Sequence, residues 1–275
     1  MTMPLDLAST ERVLREATNI RQITESSAYA RKRLIACRSE PLFLADWERT
    51  VFIHYEVDPE ALQRQVPFEL DLCAGRAYVS LVAFTMRRLH PRCGGLLGAW
   101  LFKPVGTNEY LNVRTYVRHR GESGIYFLAE WLNNRLSVPL GPLAFGLPHR
   151  FGRLDYHHHH ESGEVCGEIR ESRSQSCIAY RASLPTVVEF KPCLAGSLDE
   201  FLLERYTAFT QWKSHRRFFR IWHPPWPQTP IDLSELEDGL LATTGEWRCQ
   251  ARFVGGNYSP GVRNVWMGRP HRARL

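Results

Sequence analysis

Lysine is scarce in this chain. Its 35 basic residues are 31 Arg and only 4 Lys, at positions 32, 103, 191 and 213, so chemistry that needs a primary amine has four candidates. Paired cysteines are lacking too. The count is seven, with no C-x-x-C, which argues against a disulfide framework, a zinc ribbon or a thioredoxin-type pair. A reducing cytoplasm is the expected compartment. No apolar run of about 18 residues occurs, so no membrane-spanning helix and no membrane partner are expected. The N-terminus has neither the apolar run nor the cleavage site of a secretory signal. Dinucleotide and P-loop phosphate cradles are missing, and so is a G-x-S-x-G nucleophile elbow.

Other features come close to a motif without completing it. His160-Glu161-x-x-Glu164 lacks the second histidine of a zinc-protease helix. The run His157 to His160 splits on a strand into two imidazoles per face, half a transition-metal site at a hairpin end, with Asp155 or Glu161 as the nearest third ligand. No metal or other cofactor is expected. The net charge is +6, but the arginines are interleaved with acids rather than clustered, which excludes nucleic acid as the expected partner. The exceptions are Arg31-Lys32-Arg33 and Arg269 to Arg274.

With 44% hydrophobic residues the chain can bury a normal core. Residues 1–40 read as an N-terminal arm, helix-compatible from Glu11 to Arg33, with a thin stripe of Val13, Leu14, Ala17 and Ile20 that suggests loose docking. Residues 41–275 read as a single domain. Val51, Ile53, Tyr55 and Val57 alternate like a strand with one buried face, and Asp58-Pro59 starts a short helix. Tyr78 to Phe84 is an apolar strand, and 87–108 reads as loop. Leu111 to Val117 places Asn112, Arg114 and Tyr116 on one face. Ile125 to Trp131 returns after a turn, while Pro139, Pro142 and Pro148 break any helix in 133–148. A hairpin turns around residues 161–164, and Gln175 to Ser183 is a further strand. Ser197 starts a helix that runs through Phe209. Trp247 to Val254 and Val262 to Met267 read as closing strands.

Several segments, in order, resemble a known family. They are W-x-x-x-V-x-I-H-Y-x-V-D-P-x-x-L-x-x-x-V-P (Trp47 to Pro67), G-R-A-Y-V-S-L-V-A-F-T-M (Gly75 to Met86), E-Y-L-N-V-R-T-Y-V (Glu109 to Val117), G-I-Y-F-L (Gly124 to Leu128), G-L-P-H (Gly146 to His149), E-F-L-L-E-R-Y-T-A-F (Glu200 to Phe209) and H-P-P-W-P (His223 to Pro227). The set is similar to the YqjF-like family of uncharacterised proteins in the acetoacetate decarboxylase-like superfamily. The resemblance implies an α+β, mostly β fold, an antiparallel cone-like β-barrel with a few flanking helices and a central cavity. In acetoacetate decarboxylases a Tyr-Pro-Lys turn supplies the Schiff-base lysine, after a strand carrying a functional glutamate. Leu147-Pro148-His149 looks like that turn, with His149 at the lysine position and Glu109 placed like the glutamate. The family typically has an aromatic residue at that position, so His149 is a further departure. Imidazole cannot form the iminium electron sink, so Schiff-base decarboxylation is not expected.

The expected function is a small-molecule pocket protein acting on a polar or carboxylate-bearing ligand. His149 and Glu109 are the candidate proton carriers. Arg114, Asn112, Tyr116 and Tyr126 are the candidate ligand contacts. Two alternatives stand beside it: a non-catalytic binding or sensing module, and an interaction protein working through the basic N-terminal arm. A homo-oligomer is compatible with each.

Overall fold

The structure, a computed structural model, describes residues 7–171 and 175–273, the first ten by backbone alone. Val13, Leu14 and Arg274 therefore fall outside the described side chains. In order, the first half holds α1 (Leu7–Ile35), β1 (Phe43–Val57), α2 (Pro59–Gln63), β2 (Glu69–Leu70), β3 (Ala77–Pro91), α3 (Gly95–Phe102), β4 (Asn108–His119), β5 (Glu122–Leu132) and α4 (Ser137–Phe145). The second half holds β6 (His149–Phe151), β7 (Arg153–His157), β8 (Glu164–Arg170), β9 (Cys177–Ser183), α5 (Leu198–Leu203), β10 (Thr207–Trp212), β11 (His215–Trp222), β12 (Thr229–Pro230), β13 (Asp232–Glu237), β14 (Arg252–Met267) and β15 (His271–Arg272).

The fold is mostly β, with helices at the rim. The long ladder runs β14-β1-β3-β4-β5-β10-β11, antiparallel except where β10 meets β5, and β11 pairs back onto β14. A second sheet, β13-β9-β8-β7, packs beside it. Alternation along β4 sends Leu111, Val113 and Val117 into one core with Val51 and Ile53, and Tyr110 and Tyr116 into another with Phe52 and Phe84. Both faces of β1 and β4 are thus covered, a correction to the single buried face read from Val51 to Val57.

Four boundaries differ from the sequence reading. Segment 87–108 is not all loop: β3 runs to Pro91, and Gly95–Phe102, with no β-branched residue, forms α3. Segment 133–148 keeps a helix because Asn134 Oδ1 caps it, accepting from Leu136 N (2.9 Å) and Ser137 N (3.2 Å). Pro139 falls in its first turn, where no intrahelical donor is lost. The Ser197 helix does start with its cap, Ser197 Oγ accepting from Glu200 N at 3.1 Å, but ends at Leu203. Phe209 belongs to β10, in pairing with β11 and β5. Finally, β14 is one strand of 16 residues, preceded by a 3-10 turn at Glu246–Gln250.

The N-terminal helix is docked by its second half. Ile23 and Leu34 are each 1% exposed. Ser27 Oγ donates to the His223 carbonyl (2.9 Å) and accepts from Trp222 Nε1 (3.1 Å). The basic triplet is largely occupied inside the molecule. Arg31 lies over the Trp266 and Trp222 rings at 4.5 and 5.1 Å, and Arg33 pairs with Glu122 at 2.5 Å.

Candidate functional site

A cavity of about 350 Å³ lies between the long ladder and α4, within the usual range for small-molecule sites. Its wall is mainly aromatic and aliphatic, with Trp47, Phe84, Tyr110, Phe127, Phe219 and Trp226 prominent. Thr50, Asn112, Arg114, Glu130, Ser137 and His149 interrupt it with polar groups.

Strand geometry brings these groups together. Asn112 and Arg114, two apart on β4, share a face. On β5, Ala129 pairs with Val113 but Phe127 pairs with Arg114, so Leu128 is a bulge residue. Ile125 and Phe127 face the cavity before the bulge, and Glu130 faces it after. β6 runs parallel to β5 with His149 opposite Glu130. On β1 the register slips between Glu48 and Val51, around Arg49 at φ 53°, and both Trp47 and Thr50 line the cavity.

His149 and Glu130 form the charged element. His149 Nε2 lies 2.9 Å from Glu130 Oε2, with both side chains about 5% exposed. Nδ1 is 3.1 Å from the Ser137 carbonyl, which can only accept, so Nδ1 carries a proton and Nε2 is the nitrogen that titrates. Burial pulls the imidazole pKa down. The Glu130 charge, its hydrogen bond and the Ser137 carbonyl outweigh that, and the net shift is upward. Gly141 makes room for the ring, since a Cβ there would fall 2.1 Å from His149 Nδ1.

Arg114 is fixed by donating from Nη2 to the Leu202 carbonyl at 2.9 Å, with Phe52 beneath the guanidinium at 5.9 Å. Its Nε has no partner, and neither do Trp47 Nε1, Thr50 Oγ1 and Asn112 Oδ1, while Glu130 Oε2 and His149 Nε2 have only each other. All six are on cavity-lining residues. Among the described residues only Arg220 Nε and Arg248 Nε are buried and unpartnered elsewhere. Each such atom costs about 1–3 kcal/mol, so their concentration in one apolar cavity marks a place built for polar ligand atoms.

The structure brings His149, Arg114 and Asn112 to this one cavity. The other three predicted site residues lie elsewhere. Tyr116 shares their face but is engaged, its hydroxyl donating to the Leu202 carbonyl (2.9 Å) and meeting Ser80 Oγ (2.5 Å). Tyr126 sits on the far side of β5 beside Phe68, turned there by the Leu128 bulge. Glu109, an odd-numbered residue on β4, is on the face opposite Asn112. It borders a separate, polar hollow of about 260 Å³ with Asn133, Tyr156 and His158, accepting from Asn133 Nδ2 at 2.9 Å. Burial, then the Asp155 charge, raises its carboxyl pKa. Glu130 is the cavity carboxylate that strict alternation misses. Its signal was the apolar-apolar step Leu128-Ala129, which shifts the period by one.

The histidine run divides by face. His158 is buried, bonded to the Arg49 carbonyl (2.7 Å) and Tyr180 Oη (2.6 Å), while His157 and His159 are exposed. Among the described residues no group of three or more His, Cys, Asp or Glu is arranged to hold a metal ion. The four lysines are all exposed, and none lines the cavity.

Comparison with solved structures places the fold. The chain is similar to the enduracididine biosynthesis enzyme MppR complexed with the condensation product of pyruvate and imidazole 4-carboxaldehyde: TM-score 0.58, 15% identity, covering 85% of this chain and 90% of that one. It is similar to acetoacetate decarboxylase from Legionella pneumophila: TM-score 0.56, 14% identity, covering 86% and 90%. At this identity the likeness is one of fold, the mostly β, α+β fold of acetoacetate decarboxylase-like proteins. In sequence, the uncharacterized protein YqjF of Bacillus subtilis (strain 168) is 28% identical over 183 residues, 66% of this chain and 72% of YqjF. Residues 44–263 match the DUF2071 family over most of the length of the chain. The chain belongs to the DUF2071 family of uncharacterized conserved proteins.

Proposed function

We propose that this chain binds a small organic acid with an apolar body and acts on it by proton transfer, without a Schiff base. Four unpartnered polar atoms and the buried His149–Glu130 pair, on the lining of an otherwise apolar cavity, carry this reading. Arg114 receives the carboxylate, with Trp47 Nε1 and Thr50 Oγ1 as further donors, and Asn112 Oδ1 accepts from a ligand hydroxyl. The His149–Glu130 pair replaces the His149–Glu109 pair of the sequence reading as acid and base. With Nδ1 held by Ser137, the mobile proton sits on Nε2, and the Glu130 charge favours the protonated imidazole. A cationic imidazole donates to a carbonyl oxygen that gains charge in enolisation. MppR, bound to a pyruvate condensation product, supports a keto-acid or enol-type ligand class. In the same reading the ladder that returns from β11 to β14 is a cone-like β-barrel, and residues 41–275 are one domain.

The test is calorimetric binding and a turnover screen across 2-keto acids with aryl and branched alkyl side chains. Arg114→Met is expected to weaken binding about tenfold to a hundredfold, as loss of a charged hydrogen bond predicts. His149→Ala is expected to keep binding and lose turnover. Tight binding with no turnover in the wild type selects the sensing module. Binding indifferent to Arg114→Met discards the proposed pose.

A further inference from the structure

The outward faces of α3 and α4 carry apolar side chains that the fold leaves uncovered. Of the 14 large hydrophobic residues exposed among the described residues, seven are on these two helices or at their start: Leu96, Leu97, Trp100 and Leu101 at α3, and three leucines at α4. Leu96 is 91% exposed and Trp100 68%. The helices form one surface. Phe43 contacts both Phe102 (5.3 Å) and Phe145 (6.1 Å), and Asn134 Nδ2 donates to the Pro104 carbonyl at 2.7 Å. They also border the cavity mouth. Leu140 and Ala144 of α4 are lining residues that reach solvent, whereas the polar groups on the strands lie deep. Exposed patches on this scale mark an interaction site.

Charge decides which partner fits. Segments 87–108 and 133–154, which carry the two helices, contain seven Arg or Lys and no Asp or Glu. Arg87 and Arg88 are paired with Glu48 and Asp46 of β1. Arg92, Lys103 and Arg135 are exposed, and no described carboxylate pairs with them. An apolar centre with a cationic rim complements an anionic lipid surface, where hydrocarbon takes the leucines and the tryptophan and headgroups take the cations. A second copy docked about a two-fold axis would set this basic rim against itself, with no acid in either segment to answer it. Among the described residues no helix is long and apolar enough to cross a membrane, so the seat is interfacial.

We propose that α3 and α4 dock the chain onto an anionic lipid surface, with the cavity mouth facing the membrane. The docking stands on exposure and charge and is independent of the chemistry inside the cavity. It places a lipid-side route in front of an apolar cavity, and so favours a lipophilic acid over a freely diffusing one.

Full-length protein is sedimented with phosphatidylcholine vesicles with and without phosphatidylglycerol. Binding is expected only with the anionic lipid, and brominated lipid is expected to quench tryptophan fluorescence. The double variant Leu97→Glu/Trp100→Glu changes two exposed side chains and is expected to keep its circular dichroism and melting temperature. Its vesicle binding is expected to fall about tenfold or more. No sedimentation of the wild type overturns the proposal, as does equal binding by wild type and variant. A wild-type dimer that the double variant dissolves, without vesicle binding, also overturns it and assigns the surface to a second copy.

Discussion

Gly141 is the residue whose meaning changes most between sequence and structure. In a helix, alanine is preferred over glycine by about 1 kcal/mol, so Gly141→Ala should stabilise α4 if nothing lay beside it. His149 lies beside it, 2.1 Å from where the new Cβ would be. The variant is expected to push the imidazole from Ser137 and Glu130, lowering turnover about tenfold or more, with a changed His149 imidazole shift by NMR. An unchanged shift and turnover would discard the placement of the ring. Arg114 and Asn112 were legible because a strand with alternating polar residues announces its inner face, whereas His149 came from the family resemblance. Glu130 was missed, and Tyr126 was set on the cavity side, because one bulge residue, Leu128, shifts the two-residue period of β5 by one, marked in the sequence by nothing more than the apolar step Leu128-Ala129.

Among the elements, strands were more legible than helices. β1, β3 and β4 carry long β-branched and aromatic runs. α3 and α4 hide behind glycine and proline, and their all-round apolar character gives no helical period to find. The docking of α1 was unreadable for a different reason: its partners, Trp222 and His223, lie almost two hundred residues away. Its grip is testable by contrast. Leu34→Ala removes a side chain 1% exposed and is expected to cost about 2–5 kcal/mol in urea denaturation. Ile20→Ala, at a position 45% exposed, is expected to stay within about 0.5 kcal/mol. Equal costs would mean that α1 is not packed as described.

At the scale of the whole molecule, the buried imidazoles set the response to acid. Burial, above all, lowers His54 to about 3 and both His158 and His223 to about 4, from an ordinary 6.5. Each contributes stability that is complete above about 6.5 and is lost as pH falls toward its folded-state value, because the unfolded chain takes the proton first. Glu204, pushed up to about 7 by burial, works in the opposite sense, its stabilisation present below 4.5 and lost as pH rises through 7. Between pH 4.5 and 6.5 the three histidines are opposed by Glu204, Glu109 and Asp199, and the large shifts of the histidines leave stability rising with pH. His149, shifted upward, adds stability below 6.5 that fades above it. Stability is therefore expected to peak near neutrality and to fall steeply toward pH 5. A flat profile in denaturant titrations at pH 5 and 7 would contradict neutral buried histidines.

The return of β11 to β14 rests on two paired positions, Ile221 with Met267 and Trp222 with Trp266, and Arg31 of α1 lies across both tryptophans. This ties the order of synthesis to the order of assembly. α1 is made before β14, yet its binding place is at a seam that does not exist until β14 has emerged. The helix must wait for that strand, and the cavity acquires its wall at Ile221 and Met267 only when β11 and β14 pair.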